Sequence, residues 1–219
     1  AHFPTRIEMK GSVPEPVLLR IPMYIQALKR LVNGQPGRQM VSTTWFESEL
    51  QLNASQVRKD LAYCGLTGRP RTGFVAQDLL VALERLVGWN KTRYAFLAGA
   101  GHLGAALLAH ERIVSHGVKV LAAFDTDENK IGRDFVGVPT YNISELPERT
   151  RQCGVDIGII AVPQEHAQNV ADLMIDGGVR GIWNFAPIRL LVPEGILVQN
   201  EDIFSSVVML SQRLEPNIP

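Results

Sequence analysis

The stretch FLAGAGHLGAALLAHERIV, residues 96–114, decides how this chain is read. It opens on an apolar strand, passes through three glycines and continues as a helix over 103–114. Gly99, Gly101 and Gly104 form G-A-G-H-L-G between the two. The first glycine permits a tight turn, the second lets backbone approach a pyrophosphate, and the third allows close packing of helix on strand. Phosphates then meet free N–H groups at the helix N-terminus, where the dipole favours negative charge. A bare glycine triplet is a weak signal. Here a second strand over 119–124 leads to Asp125, about twenty residues beyond the last glycine, where an acid is needed to bind ribose hydroxyls. No basic residue takes the place of Asp125, which favours NAD(H) over NADP(H). Ala100, His102 and Leu103 complete the loop as expected cofactor contacts.

Downstream, strands and helices alternate. VGVPTYN (136–142) reads as extended, 144–152 as a helix, and VDIGIIAVP (155–163) as a strand covered on both faces. A helix over 164–175, strands over 181–185 and 195–198, and an apolar helix over 204–214 follow. The pattern predicts a doubly wound parallel sheet. Ligands of such sheets gather at the carboxyl ends of the strands. That expectation brings Val162, Pro163, Asn184, Phe185 and Ala186 to the far end of the dinucleotide. A hydride-transfer enzyme also needs a proton donor there. The one histidine after the second strand, His166, reads as a solvated residue at a helix start, and no Cys–His couple or metal-ligand cluster accompanies it. No catalytic residue is assigned: the cofactor is expected to be bound without being turned over.

Upstream of the strand that leads into the glycines the periodicity is mostly helical. Ile21, Tyr24, Ile25, Leu28, Leu31 and Val32 mark a first helix over 22–32, broken by NGQPG. STTWFESEL starts a second, with Ser42 or Thr43 as N-cap and Glu47 placed to reach back. ASQVRKDLAYCG is a third, capped by Asn53 or Ser55 and stopped by Gly65. LTGRPRTGF reads as a hairpin turn with a basic tip, and a fourth helix covers 76–87. Three helices and a basic hairpin make the plan of a winged helix-turn-helix. Arg58 and Lys59 lie early in the third helix, where they would reach phosphates and base edges in the major groove of duplex DNA. Arg69 and Arg71 in the hairpin would enter the minor groove. Asp60 reads as a partner for a nearby base.

The zero net charge of the 219 residues hides an asymmetry. Residues 1–91 carry 12 Lys and Arg against 7 Asp and Glu, and residues 92–219 carry 10 against 15. A basic half of net +5 joined to an acidic half of −5 points to a polyanionic partner for the first. The 46% apolar content supports a globular core, and no run approaches the about 18 to 20 apolar residues that span a bilayer. AHFPTRIEMKGSVPEP lacks the apolar stretch of a secretory signal, so a cytoplasmic protein is expected. Cys64 and Cys153 match neither a metal nor a CxxC spacing and read as buried or half-buried thiols.

In order along the chain, VPEPVLLRIPMYIQALKRL, QVRKDLAYCG, GAGHLGAALL, AAFDTDENKIGR, AVPQEHAQNVADLM and GIWNFAP resemble the Rex family of redox-sensing transcriptional repressors, from about Val13 to Leu214. The resemblance implies a homodimer that represses at inverted-repeat operators and releases DNA when NADH displaces NAD+. It implies three parts: a winged-helix domain over 1–90, a Rossmann-like NAD(H)-binding domain over 91–202, and a helix over 203–219 exchanged between subunits. It adds Ser42, Ser55 and Tyr63 to the DNA contacts, and Lys130 and Ile131 to the adenosine and pyrophosphate contacts, with Phe185 near the nicotinamide. A trio that couples ligand state to subunit rotation falls on Gln26, His110 and Asp202, where the family usually has arginine, tyrosine and aspartate. Two of the three depart from that pattern. The competing reading is an enzyme: an NAD-dependent oxidoreductase, or a CoA-binding subunit of the ligase type.

Overall fold

The computed structural model describes residues 13–34, 37, 39–110 and 117–214. The chain divides between Lys91 and Thr92 into two compact units.

In the first unit, α1 (Glu15–Gly34) starts well before the expected residue 22 and carries Pro22 inside it. The apolar stripe explains the longer reach. Val17, Ile21, Tyr24, Ile25 and Leu28 repeat at helical spacing and all are buried. Pro22 leaves the Leu18 carbonyl without its helical donor, and Leu18 is on the exposed side. After β1 (Met40–Val41), Ser42 caps α2 (Thr43–Leu50) by accepting from the Trp45 N–H at 3.1 Å. The expected return of Glu47 to that cap does not occur. Its carboxylate instead accepts from the Ala54 N–H at 3.4 Å, the first residue of α3 (Ala54–Leu61). Asn53 is the cap of α3, which ends in a single 3-10 turn at Gly65. The hairpin closes through reciprocal Arg69 and Gly73 backbone bonds of 2.6 and 2.9 Å. It returns as β2 (Phe74–Val75), antiparallel to β1, a pairing too short to leave a periodic signal. α4 (Ala76–Leu86) follows and buries Leu79, Leu80 and Leu83. Tyr24 and Phe46 meet edge to face at 5.3 Å in this core.

One polar cluster crosses it. The Asp60 carboxylate, fully buried, accepts from Arg20 Nε at 2.7 Å and Nη2 at 2.9 Å, from the Tyr24 hydroxyl at 2.7 Å, and from Gln56 Nε2 at 2.8 Å. The base partnering Asp60 is thus forty residues away in sequence, and the cluster ties α3 to α1. Burial pushes the Asp60 carboxyl up, but the bonds from Arg20, Tyr24 and Gln56 outweigh it and hold it below the ordinary carboxylate value.

The second unit is a seven-stranded sheet of order β5-β6-β4-β3-β7-β8-β9. Its strands are β3 (Arg93–Ala98), β4 (Val118–Asp125), β5 (Asp134–Phe135), β6 (Val138–Asn142), β7 (Ile157–Ile160), β8 (Gly181–Asn184) and β9 (Leu197–Asn200). All pairings are parallel except β5 with β6. Successive residues of β3 feed opposite faces. Ala95 and Leu97 pack with Leu107 and Leu108 of α5 (His102–Ala109), whereas Phe96 and Ala98 pack with residues of α6 (Leu146–Cys153) and α7 (Gln164–Asp176). Helices on opposite faces around a first strand at the centre are the doubly wound plan.

Several expected bounds move. Among the described residues α5 ends at Ala109, and 111–114 lie outside them. VGVPTYN is not extended throughout: Val136 and Gly137, both at positive φ, make a two-residue hairpin turn between β5 and β6. The helix expected over 144–152 is a 3-10 turn at Ile143–Glu145, boxed by Asn142 and Glu145, running into α6. β9 lies two residues later than expected because Gly195, at φ 93°, belongs to the preceding turn. Cys64 is buried as expected, but Cys153 is exposed. Asp202 accepts from the Ser205 N–H and hydroxyl and so starts α8 (Ile203–Leu214), which leaves Val207, Val208, Met209, Leu210 and Leu214 exposed. Among the described residues no helix is long and apolar enough to cross a membrane.

Replacing Asp60 by alanine breaks a buried ion pair, which costs about 3–5 kcal/mol when both charges are fully buried. Arg20 keeps a quarter of its side chain exposed, so the lower end, about 3 kcal/mol, is expected in denaturant melts at neutral pH. The folded carboxyl titrates below its unfolded value of about 3.9. Its contribution is therefore complete above that value and is lost as the pH falls through the lowered folded one. Parent and Asp60→Ala melts are expected to converge in acid.

Candidate functional site

The glycine loop leaves β3 at a point where three strand ends are bonded together. The Gly99 N–H donates to the Phe124 carbonyl of β4 at 2.8 Å, and the Ala161 N–H beyond β7 donates to the Ala98 carbonyl at 2.8 Å. Gly99 sits at φ 102°, and a Cβ there would lie 2.4 Å from the Ala161 carbonyl oxygen. A Cβ on Gly104 would lie 2.2 Å from the Gly99 oxygen. These two glycines serve the fold of the loop. Gly101, the residue before α5, has open space where its Cβ would be, so its backbone can be approached by a ligand.

Asp125 closes the loop from β4. Its Oδ2 accepts from the Ala100 N–H at 2.9 Å and from Lys130 Nζ at 3.0 Å, and its Oδ1 accepts from the Asp127 N–H at 3.0 Å. Burial pushes the carboxyl up, but the Asp127 N–H, Lys130 and the Ala100 N–H together hold it below the ordinary range. It is an anion whose Oδ1 keeps one acceptor site free of these bonds, enough for one ribose hydroxyl. Beside it opens a cavity of about 430 Å³, lined by the expected Gly99, Gly101, Asp125, Lys130, Val162 and Pro163. Phe124, Thr126, Ile143, Ala161, His166 and Val170 line it too, none of them foreseen. Phe124 and Val170 look like ordinary core in the sequence. His166 carried a usable signal, since it opens the helix just past the carboxyl end of β7, where ligands gather.

The remaining expected contacts are not part of that lining. Ala100 and Gly104 are buried, Leu103 and Ile131 half-buried, and His102 exposed. Asn184, Phe185 and Ala186 do not line this cavity. Asn184 is buried and shapes its own turn: Nδ2 donates to the Ala186 and Ile188 carbonyls and to Asn200 Oδ1, while Oδ1 accepts from the Ala186 N–H. Phe185 rests on Trp183 at 4.8 Å, and the Trp183 indole donates to Glu201 at 2.9 Å. Gln26 is half-buried in α1, His110 is exposed just past α5, and Asp202 caps α8.

In the first unit, α3 buries Val57, Asp60 and Leu61 and presents Ser55, Arg58 and Lys59 on its exposed side. Arg69 and Arg71 are exposed in the hairpin, Arg71 at φ 67°. Arg58 also walls a groove shared with Gly65, Leu66, Gly68 and Phe74, so the basic face of α3 and the base of the hairpin adjoin. Ser42 is committed to its cap, and Tyr63 is half-buried against the core.

Two family models match: a putative DNA-binding protein N-terminus over residues 12–62 and a CoA binding domain over residues 90–188. The redox-sensing transcriptional repressor Rex of Bacteroides thetaiotaomicron is 38% identical, with 94% of this chain and 93% of that protein covered. Those of Treponema denticola and Thermotoga maritima (Rex 1) are 37% and 35% identical, covering 92% and 93% of this chain and 95% and 96% of theirs. The crystal structure of RSP in complex with β-NAD+ and operator DNA superposes at a TM-score of 0.87, with 28% identity and 94% of each chain covered. RSP in complex with β-NADH gives 0.81 and 28%, covering 94% of this chain and 95% of that one. With both halves of the molecule matched in a single alignment, the chain belongs to the Rex family of redox-sensing transcriptional repressors.

Proposed function

We propose that this chain represses transcription as a homodimer, binding operator DNA through α3 and the hairpin and letting it go when NADH fills the cavity beside Gly99. One observation carries the reading: a single chain holds both an exposed basic helix face locked from beneath by Asp60 and a glycine-loop cavity closed by an anionic Asp125. The relatives cited above that align over more than nine-tenths of it are redox-sensing transcriptional repressors. The residues fit a dinucleotide. Gly101 and the first turn of α5 offer N–H groups to the diphosphate, Asp125 accepts from a ribose hydroxyl, and Lys130 holds that carboxylate in place. The dinucleotide acts as a ligand whose redox state is read.

On the DNA side, Arg58 and Lys59 neutralise phosphates and reach base edges, while Arg69 and Arg71 extend along the neighbouring groove. The exposed apolar side of α8 is the surface that the second subunit covers. Release requires only that the NADH-preferring and DNA-preferring states differ, and a coupling of about 1–3 kcal/mol yields about 5- to 150-fold release.

Three outcomes are expected. Fluorescence-anisotropy titration of an inverted-repeat duplex should show tight binding without ligand or with NAD+, lost with NADH; binding indifferent to NADH would sink the reading. The double variant Arg58→Ala, Lys59→Ala should bind DNA more weakly and lower the slope of log affinity against log salt by about 2, since each lost phosphate contact removes about 0.9. Asp125→Ala should weaken NADH by about 10- to 150-fold, the cost of hydrogen bonds to a charged group, while operator affinity without ligand stays at the parent level.

A further inference from the structure

We propose that His166 is the residue of the nucleotide cavity that recognises the base, packing its imidazole on the adenine. The proposal rests on the nucleotide reading of that cavity.

His166 lies in the first turn of α7, where its N–H donates to the Pro163 carbonyl at 3.0 Å. Val170 is one turn further on and lines the same cavity, so the two occupy one face of the helix. Val170 is buried and His166 exposed, which puts the valine at the floor and the imidazole at the rim. Asp125, at the end of β4, and Thr126 and Lys130 beyond it line the same cavity. The cavity therefore has a polar wall beside an apolar slot of Phe124, Ile143, Val162 and Val170. A ribose belongs at the wall and a flat base in the slot.

Two polar groups of the wall, Asp125 and Lys130, are paired with each other. Asp125 holds Lys130 and two backbone N–H groups, and Lys130 Nζ is shared between Asp125 at 3.0 Å and Asp127 at 3.9 Å. They serve the ribose. Of the two aromatic side chains in the lining, Phe124 is fully buried, with Phe96 at 4.9 Å and Tyr141 at 5.9 Å against its ring. The imidazole at the rim is the aromatic surface left to cover a base once it enters. Stacking of a base on an aromatic side chain is a substantial contribution by alanine substitution, and a purine offers more face than a pyrimidine.

The test compares NADH with reduced nicotinamide cytosine dinucleotide, which keeps both riboses, the diphosphate and the nicotinamide. Calorimetric titrations of the full chain, His166→Ala and His166→Phe give the adenine-over-cytosine preference of each. His166→Ala is expected to shrink that preference about 5-fold or more, the low end for base–aromatic stacking, and His166→Phe to restore most of it. General damage to the cavity would weaken both ligands alike and leave the ratio unchanged, as in any double-difference measurement. An unchanged ratio in His166→Ala overturns the proposal while leaving the nucleotide reading intact. Failure of the parent chain to bind NADH at all overturns both.

Discussion

The Ala161 carbonyl oxygen occupies the space that a side chain at residue 99 would need. That close approach organises the second unit. It lets the Gly99 N–H reach Phe124, lets the Ala161 N–H reach Ala98, and so draws the ends of β3, β4 and β7 into one bonded rim. The rim continues through the Phe185 N–H to Ile160 at 2.9 Å and the Glu201 N–H to Asn184 at 2.8 Å. Residues of the loop, the β4 acid and the α7 start meet there because the rim holds them. Around it the crossovers pass to opposite faces of the sheet, which leaves the crevice that the cavity occupies.

The first unit depends on a different kind of contact. A carboxylate with no solvent exposure is tolerable only when its lone pairs are met, and Asp60 meets that condition with Arg20, Tyr24 and Gln56. The partners come mostly from α1, so the pitch and rotation of α3 are set from beneath while Arg58 and Lys59 stay outside. Sequence periodicity orients the same helix, but only to within a face. The ion pair sets a defined geometry because the guanidinium fork donates twice to one carboxylate.

Legibility followed periodicity. The strand through 157–160 and α7 were readable because apolar residues run unbroken through a buried strand or recur at the right interval, and the α5 start because glycines mark the turn before it. β1 and β2, two residues each, carry no period. Glu47 was misread because a capping box and a reach to the next helix use the same acid near a helix start, and only the loop path decides between them. Pro22 masked the first two turns of α1, although Val17 and Ile21 continue the stripe. Asn184 sat at a strand end, as a ligand contact would, yet its amide is consumed by its own turn and Asn200.

From the sequence alone came the two kinds of unit, the glycine cradle with its acid, and the basic third helix, since each rests on neighbours in the chain: spacing, caps and turn glycines. Tertiary structure alone decided which groups share a cavity or a carboxylate. Arg20 with Asp60, forty residues apart, and His166 beside the Asp125 wall are such cases. Burial of two helix faces or of several strand ends at once brings them together, and no local spacing encodes it.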